Sequence, residues 1–154
     1  MHLDQDPAFQ RANWRFERIG WGVIAVLMLA ALVGVFGKGP LSHATARADN
    51  AILRYQRFSH WESPDRLAFN VRAPGEQTVL RLSRAYIERV WVEDITPAPT
   101  GTRTLPDWIE FRFHTGGGES TITFHIQPQA FGLQRARYAV GDGAPVAFWQ
   151  FVYP

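Results

Sequence analysis

The chain has 154 residues, no cysteine and a formal net charge of +2, from 16 basic and 14 acidic side chains. Without cysteine it can form no disulfide, thiolate metal site or nucleophilic thiol. The basic residues are nearly all arginine and are scattered among acidic ones, which argues against a nucleic-acid-binding protein. The length leaves room for one small domain after an N-terminal apolar run.

That apolar run, residues 19–36, carries no charged side chain. At 1.5 Å rise per residue it is about 27 Å long, close to the hydrocarbon thickness of a bilayer. It is apolar all round, whereas a buried core helix normally keeps a polar stripe. We therefore predict a leader over residues 1–18, a transmembrane helix over 19–37, a linker over 38–50 and a domain over 51–154.

The residues that flank the run support this interpretation. Asp6 is followed by Pro7, a pair that suits a helix N-cap and first helical position, which predicts that a helix starts there. Aromatic and arginine side chains suited to the membrane interface come next: Arg11, Trp14, Arg15, Arg18 and Trp21. The arginines favour a cytoplasmic N-terminus and a periplasmic C-terminal domain, in a single-pass protein of the bacterial inner membrane.

A cleavable signal peptide is the alternative to a permanent anchor. Residues 44–46 and 46–48 both fit the small-x-small pattern of a cleavage site. The apolar run is longer than a usual signal-peptide core, and some ten residues separate it from the first of these sites. The anchor is the preferred interpretation.

Beyond the linker, apolar and polar residues alternate with the period of strands. Two hairpins are predicted, residues 109–113 with 122–126 and residues 133–140 with 145–153. Ser83 is predicted to cap a short helical turn through residues 84–87. We count seven strands, all antiparallel, which predicts an immunoglobulin-like β-sandwich, with a small closed barrel as the alternative.

The histidines do not form a recognisable metal site. In the first predicted hairpin His114 would lie opposite Thr121 and His125 opposite Glu110, which separates the imidazoles by roughly 13 Å. That is too far for one ion, so both are predicted to face solvent. The sulfur ligands of a copper site are also missing. We predict no bound metal and no cofactor.

The segment 59–65 brings a hydroxyl, an imidazole and carboxylates together, as in a hydrolase. It lacks the Gly-x-Ser-x-Gly elbow, and neighbouring loop residues point in different directions. We predict no catalytic residue and no enzymatic activity. A periplasmic small-ligand or metal-binding factor that uses His60, Glu62 and Asp65 is kept as the alternative function.

Aromatic residues are unusually frequent in the predicted domain. The last strand carries large apolar side chains on both faces, so Trp149, Phe151 and Tyr153, with Trp61, are predicted to bind a partner. The other interpretation is that this second face packs on the domain's own loops. Within the predicted span, Ala30 and Gly34 form a small-xxx-small pair that would allow close helix packing.

Short motifs along the chain resemble an uncharacterised family of short bacterial single-span membrane proteins. They are Arg18-Ile-Gly-Trp21, Phe36-Gly-Lys-Gly-Pro-Leu-Ser42, Leu82-Ser-Arg-Ala-Tyr-Ile87 and Gln150-Phe-Val-Tyr-Pro154. The family is similar to small inner-membrane proteins of the YetF type. The resemblance implies a membrane topology and a membrane-protein partner, and it implies no mechanism. The sequence thus predicts an accessory interaction module of an integral membrane protein.

Overall fold

A computed structural model describes residues 7–32 and 42–154. Helix α1 is described over Pro7–Leu32. The residues before the predicted helix start at position 7 lie outside the described range. The predicted transmembrane helix runs past Leu32, so its residues 33–37, including Gly34, lie outside the described residues. Within the described ranges, no helix has both the length and the apolar character that a membrane crossing demands.

The rest of the described chain is mainly strand, with a single short helix, α2 (Arg84–Ile87). Residues 42–154 contain eleven strands, whereas seven were predicted. They are β1 (His43–Arg47), β2 (Ala51–Gln56), β3 (Phe58–His60), β4 (Asp65–Ala73), β5 (Gln77–Ser83), β6 (Val90–Thr96), β7 (Gly101–Thr104), β8 (Trp108–His114), β9 (Gly118–Pro128), β10 (Gly132–Val140) and β11 (Val146–Tyr153).

The strands form two sheets. The five-stranded sheet has the order β1-β2-β4-β9-β6, and the six-stranded sheet has the order β3-β11-β10-β5-β8-β7. Alternate residues of each strand are buried, as in β4 and β11, so one face of each sheet contributes to a shared core. The predicted mainly-β sandwich is confirmed, in preference to a single closed barrel.

Aromatic side chains fill much of the core between the sheets. Phe124 of the five-stranded sheet packs edge-to-face on Phe111 of the six-stranded sheet, with ring centroids 5.1 Å apart. Phe69 likewise meets Tyr138 at 5.3 Å. Edge-to-face pairs of this kind add to the free energy of simple apolar burial. These contacts join the two sheets.

The predicted hairpin between residues 109–113 and 122–126 is wrong. β8 pairs with β5 and β7, whereas β9 pairs with β4 and β6 in the other sheet. Gly116, Gly117 and Gly118 all have positive φ and lie where the chain crosses between sheets. An alternating pattern predicts which side chains face the core, but two strands that face each other across a sandwich show the same alternation as two hydrogen-bonded neighbours.

The second predicted hairpin is confirmed. β10 and β11 pair antiparallel from Gly132 opposite Val152 to Tyr138 opposite Val146. The expectation that every pair is antiparallel is wrong at one place, because β3 runs parallel to the end of β11. The predicted turn after Ser83 is α2, although the Ser83 hydroxyl accepts the Arg137 N–H at 3.1 Å instead of capping the helix.

Five residues of the predicted linker form strand β1. β1 pairs along its whole length with β2, and Ala44 is buried against the core. Tyr138 donates a hydrogen bond from its hydroxyl to the carbonyl oxygen of Ala46, at 2.8 Å. The residues of β1 are small or polar, so the sequence shows little apolar alternation that would predict a strand there. Its pairing with β2 identifies it as a strand.

Candidate functional site

The final strand, β11, has two different faces. Phe148, Gln150 and Val152 point into the sandwich and are almost fully buried. Trp149 and Phe151 point outward and are 37% and 41% exposed. As predicted, the last strand has large apolar side chains on both of its faces.

Further exposed apolar side chains lie beside these two. Leu133 of β10 is directly opposite Phe151 in the hairpin register and is about half exposed. Phe131 precedes it by two residues, and its ring packs on Trp61 with centroids 5.6 Å apart. We call this surface the aromatic face and define it by five side chains: Trp61, Phe131, Leu133, Trp149 and Phe151.

The aromatic face contains an open depression with a volume of about 480 Å³. Leu133, Ala147 and Trp149 line it together with Arg135. The guanidinium of Arg57 lies 5.3 Å from the centre of the Trp149 ring, a cation–π distance. The depression is thus lined mainly by apolar side chains, with Arg135 in its lining and Arg57 beside Trp149.

Side chains of β3 cover part of this outer surface of β11. Phe58 of β3 meets Trp149 edge-to-face at 6.1 Å. His60 packs on Tyr153 with ring centroids 5.1 Å apart, and Tyr153 is only partly exposed. Of the four residues predicted to bind a partner, Tyr153 is therefore the most covered. The others keep more than a third of their surface exposed.

The segment 59–65 does not gather its polar groups at one point. His60 is exposed, and its Nδ1 lies 3.2 Å from the carbonyl oxygen of Trp61. Glu62 is exposed with a positive φ of 52°. Asp65 instead points inward, where it is 6% exposed. The three side chains of the alternative function are therefore not brought together.

Asp65 belongs to a buried polar network. Its carboxylate accepts the Arg66 backbone N–H at 2.7 Å and the Gln150 side-chain amide at 3.0 Å. The Tyr86 hydroxyl donates to the other end of the same Gln150 amide. Burial raises the pKa of Asp65, and it raises the pKa of Tyr86 well above its usual range. This network links α2, β4 and β11, and its side chains are almost fully buried.

The histidines of the sheets are exposed, as predicted, but the predicted register is wrong. His114 lies opposite Gln77, and His125 lies between Arg66 and Asp94 in the other sheet. Over residues 7–32 and 42–154, no group of three or more histidines and carboxylates could hold a metal ion.

The predicted membrane-interface residues Arg11, Trp14, Arg15, Arg18 and Trp21 all lie within α1. The Arg18 guanidinium sits 3.9 Å from the centre of the Trp14 ring, one helical turn away. Side chains from Trp21 to Leu29 are exposed. Ala30 lies in α1, whereas its predicted packing partner Gly34 is outside the described residues.

Sequence reasoning missed Phe131 and Leu133. The signal for Leu133 was present, because the predicted hairpin places it directly opposite Phe151. Phe131 had no such signal, since it precedes the strand and meets Trp61 only through the folded chain.

No protein-family model matches this chain, and no curated protein gives a significant match. Among solved structures, the chain is similar to a cohesin module from a family 33 glycoside hydrolase of Clostridium perfringens. The TM-score is 0.44 and the sequence identity is 11%, and the alignment covers 71% of this chain and 98% of that chain.

Proposed function

We propose that this chain is a membrane-anchored interaction module, whose immunoglobulin-like sandwich is held on the periplasmic side of the inner membrane. The module acts as an accessory subunit of an integral membrane protein, without enzymatic activity or cofactor. The aromatic face is the observation that carries the proposal, because it provides anchors for a protein partner.

The uncharged run 19–36 supports the membrane anchor through its length and composition. The exposed apolar side chains along α1 support it as well, since their contact with lipid would remove them from water. Arg18 stacked on Trp14 is a pairing suited to the headgroup region. Ala30 and Gly34 would let a partner's helix approach closely.

Strand β1 favours the anchor over a cleaved signal peptide. Cleavage after Ala46 would remove most of β1, and cleavage after Ala48 would remove all of it. The chain would then lose the strand that pairs with β2 and the acceptor of the Tyr138 hydroxyl. A processing site inside a paired strand conflicts with the fold.

The aromatic face also indicates the chemistry of the partner. Tryptophan and phenylalanine at the centre of an interface contribute most of its binding free energy when they enter apolar pockets. Arg135 in the depression and Arg57 beside Trp149 favour a partner surface that combines carboxylates with apolar side chains. We therefore propose a partner with an apolar periplasmic surface that is bordered by acidic side chains.

Site-specific photo-crosslinking in cells tests this proposal. A photoreactive amino acid in place of Leu133 should give one dominant adduct with an integral membrane protein. The same amino acid in place of Trp91, which is 64% exposed on β6 in the other sheet, is the matched control and should give none. Trp149→Ala combined with Phe151→Ala should abolish the adduct.

Two results would contradict the proposal. One is an adduct pattern that is the same from positions 133 and 91. The other is a Trp149→Ala, Phe151→Ala variant that crosslinks and copurifies in mild detergent as the wild-type chain does.

A further inference from the structure

The outer face of the five-stranded sheet carries a row of hydrophilic and small residues across four strands. In register, Thr45 of β1 lies opposite Arg54 of β2, which lies opposite Ala68 of β4, which lies opposite Thr123 of β9. Adjacent strands are about 4.8 Å apart, so these four residues lie next to one another. Ala68 is small, and it forms the floor of a groove between longer side chains.

This groove has a volume of about 520 Å³, and hydrogen-bonding side chains surround its floor. They are His43, Thr45, Arg54, Gln56, Arg66 and Thr123. No carboxylate is among the described residues that line it. Asp94, the nearest carboxylate in the row of Arg66, is separated from it by His125. The groove is therefore positively charged and rich in hydrogen-bond donors.

Arg54 and Arg66 are the central feature of the groove. They lie diagonally across the β2–β4 pair, because Arg54 is opposite Ala68 and Arg66 is two residues before it. Such diagonal residues are roughly 7–8 Å apart, and both of these side chains are exposed. In the described part of the chain, the arginines that form ion pairs are Arg72 and Arg84. Neither Arg54 nor Arg66 forms one.

Two arginines at neighbouring positions of one sheet face bring like charges to the same groove, and an anion between them would offset their repulsion. The planar fork of an arginine binds two oxygens of a phosphate at once. The hydroxyls of Thr45 and Thr123 lie in the same row and can donate to the remaining oxygens. The set of donors thus suits a tetrahedral oxyanion better than a neutral or cationic ligand.

We propose that the groove between Arg54 and Arg66 binds a phosphate-bearing ligand. The phosphate could belong to a soluble molecule or to an anionic lipid headgroup, and both present the same oxygens to the arginines. The site lies on the sheet that does not carry the aromatic face, so it is independent of the proposed partner interface. It would allow the module to bind a phosphate group and its protein partner at the same time.

Calorimetric titration of the full chain in a neutral detergent tests the site. The probes are inorganic phosphate, pyrophosphate and dihexanoylphosphatidylglycerol below its micelle concentration, with dihexanoylphosphatidylcholine and succinate as controls. We expect saturable binding of at least one phosphate probe. Arg54→Gln combined with Arg66→Gln should weaken that binding by about tenfold or more. Binding of the lipid probe alone would identify a headgroup site, and binding of the inorganic probes would identify a site for soluble phosphates.

The matched control replaces two exposed arginines of the other sheet, Arg103→Gln with Arg112→Gln, and should leave the affinity within about twofold. Both double variants should keep the wild-type far-ultraviolet spectrum and thermal unfolding midpoint, because all four side chains are exposed. The proposal is wrong if no phosphate probe binds, if succinate or the phosphatidylcholine binds as tightly, or if the two double variants have the same affinity.

Discussion

The carboxyl group of Asp65 shows how one buried residue couples the fold to pH. Burial is the largest influence on its pKa and raises it, while hydrogen bonds from the Arg66 N–H, Ser59 and Gln150 lower it in part. In the unfolded chain the same carboxyl is hydrated and has its ordinary pKa. The folded state therefore binds this proton more tightly than the unfolded state does.

Compared with a variant that lacks the Asp65 carboxyl group, the wild-type chain should be more stable in acid than at neutral pH. The stabilisation from its proton is fully present below the unfolded-state pKa, and it is lost as the pH rises through the folded-state pKa. Asp65→Asn carries no titrating proton, so wild-type stability relative to this variant should fall between pH 3.5 and pH 7.5. Urea unfolding at both values measures the difference. Asp142→Asn, in an exposed turn, should change stability by less than about 0.5 kcal/mol at either pH. An Asp65→Asn difference that is independent of pH would contradict this account.

Gly143 occupies a position in the β10–β11 turn where a side chain would crowd its neighbours. A Cβ there would lie 3.0 Å from the carbonyl oxygen of Val140 and 3.2 Å from Oδ1 of Asn50. The same carbonyl accepts the Gly143 N–H at 3.0 Å and the Asn50 side-chain amide at 2.9 Å. Gly143→Ala should therefore lower the free energy of unfolding by roughly 1–3 kcal/mol.

Gly75→Ala is the matched control for this prediction. A Cβ on Gly75 would have its nearest contact at 4.0 Å, with the carbonyl oxygen of Gln77. Its unfolding free energy should stay within about 0.5 kcal/mol of the wild-type value. Equal effects of the two substitutions in chemical denaturation would show that the turn accommodates a side chain at position 143.

Strand β9 packs against strands of both sheets. It pairs with β4 and β6 in its own sheet, and its Phe124 packs on Phe111 and Phe113 of β8 in the other sheet. Phe124 also meets Phe69 within its own sheet at 5.7 Å. This fully buried ring is therefore one of the main contacts between the sheets, beside the Phe69–Tyr138 pair.

Phe124→Ala should lower the free energy of unfolding by about 3–5 kcal/mol, because it leaves a cavity between the sheets. Phe124→Leu keeps most of the volume and should cost less than about 1.5 kcal/mol. Trp91→Ala, at an exposed position on β6, should change stability by less than about 0.5 kcal/mol. Denaturant unfolding monitored by circular dichroism measures all three. Similar losses for Phe124→Ala and Trp91→Ala would contradict the packing role of Phe124.

At the scale of the whole molecule, the proposed topology predicts where the sandwich lies. The chain has no cysteine, so Glu76→Cys in the exposed β4–β5 turn provides one thiol for labelling. A membrane-impermeant maleimide should label this thiol in intact spheroplasts as fully as in lysed ones. Labelling that requires lysis would place the domain in the cytoplasm and overturn the proposed orientation.

The intact mass of the membrane-extracted protein should correspond to a chain that keeps β1. A chain that starts at Arg47 would lack most of the strand paired with β2. We expect such a truncated chain to unfold at a lower denaturant concentration than the full chain. A product that begins near Arg47 in cells, with unchanged stability, would identify the N-terminal helix as a discarded signal peptide.

Local patterns in the sequence were sufficient for several features. The period-2 alternation predicted which residues of β4, β8 and β9 face the core, because strand geometry points alternate side chains in opposite directions. The short connection between residues 133–140 and 145–153 predicted the β10–β11 hairpin, since a tight turn keeps its two strands adjacent.

Only the tertiary structure decided how strands distant in sequence are paired. β8 and β9 are separated by a glycine-rich connection and still belong to different sheets, because hydrogen bonding and cross-sandwich packing impose the same alternation. Likewise, Arg54 and Arg66 lie beside the same groove because of the register between β2 and β4. Phe131 belongs to the aromatic face because its ring packs on Trp61. The sequence by itself determined the class of fold, the apolar N-terminal run and the aromatic last strand, because these follow from local periodicity and composition. The folded chain determined which of these residues lie together, because a site is made by contacts between segments whose pairing no local pattern encodes.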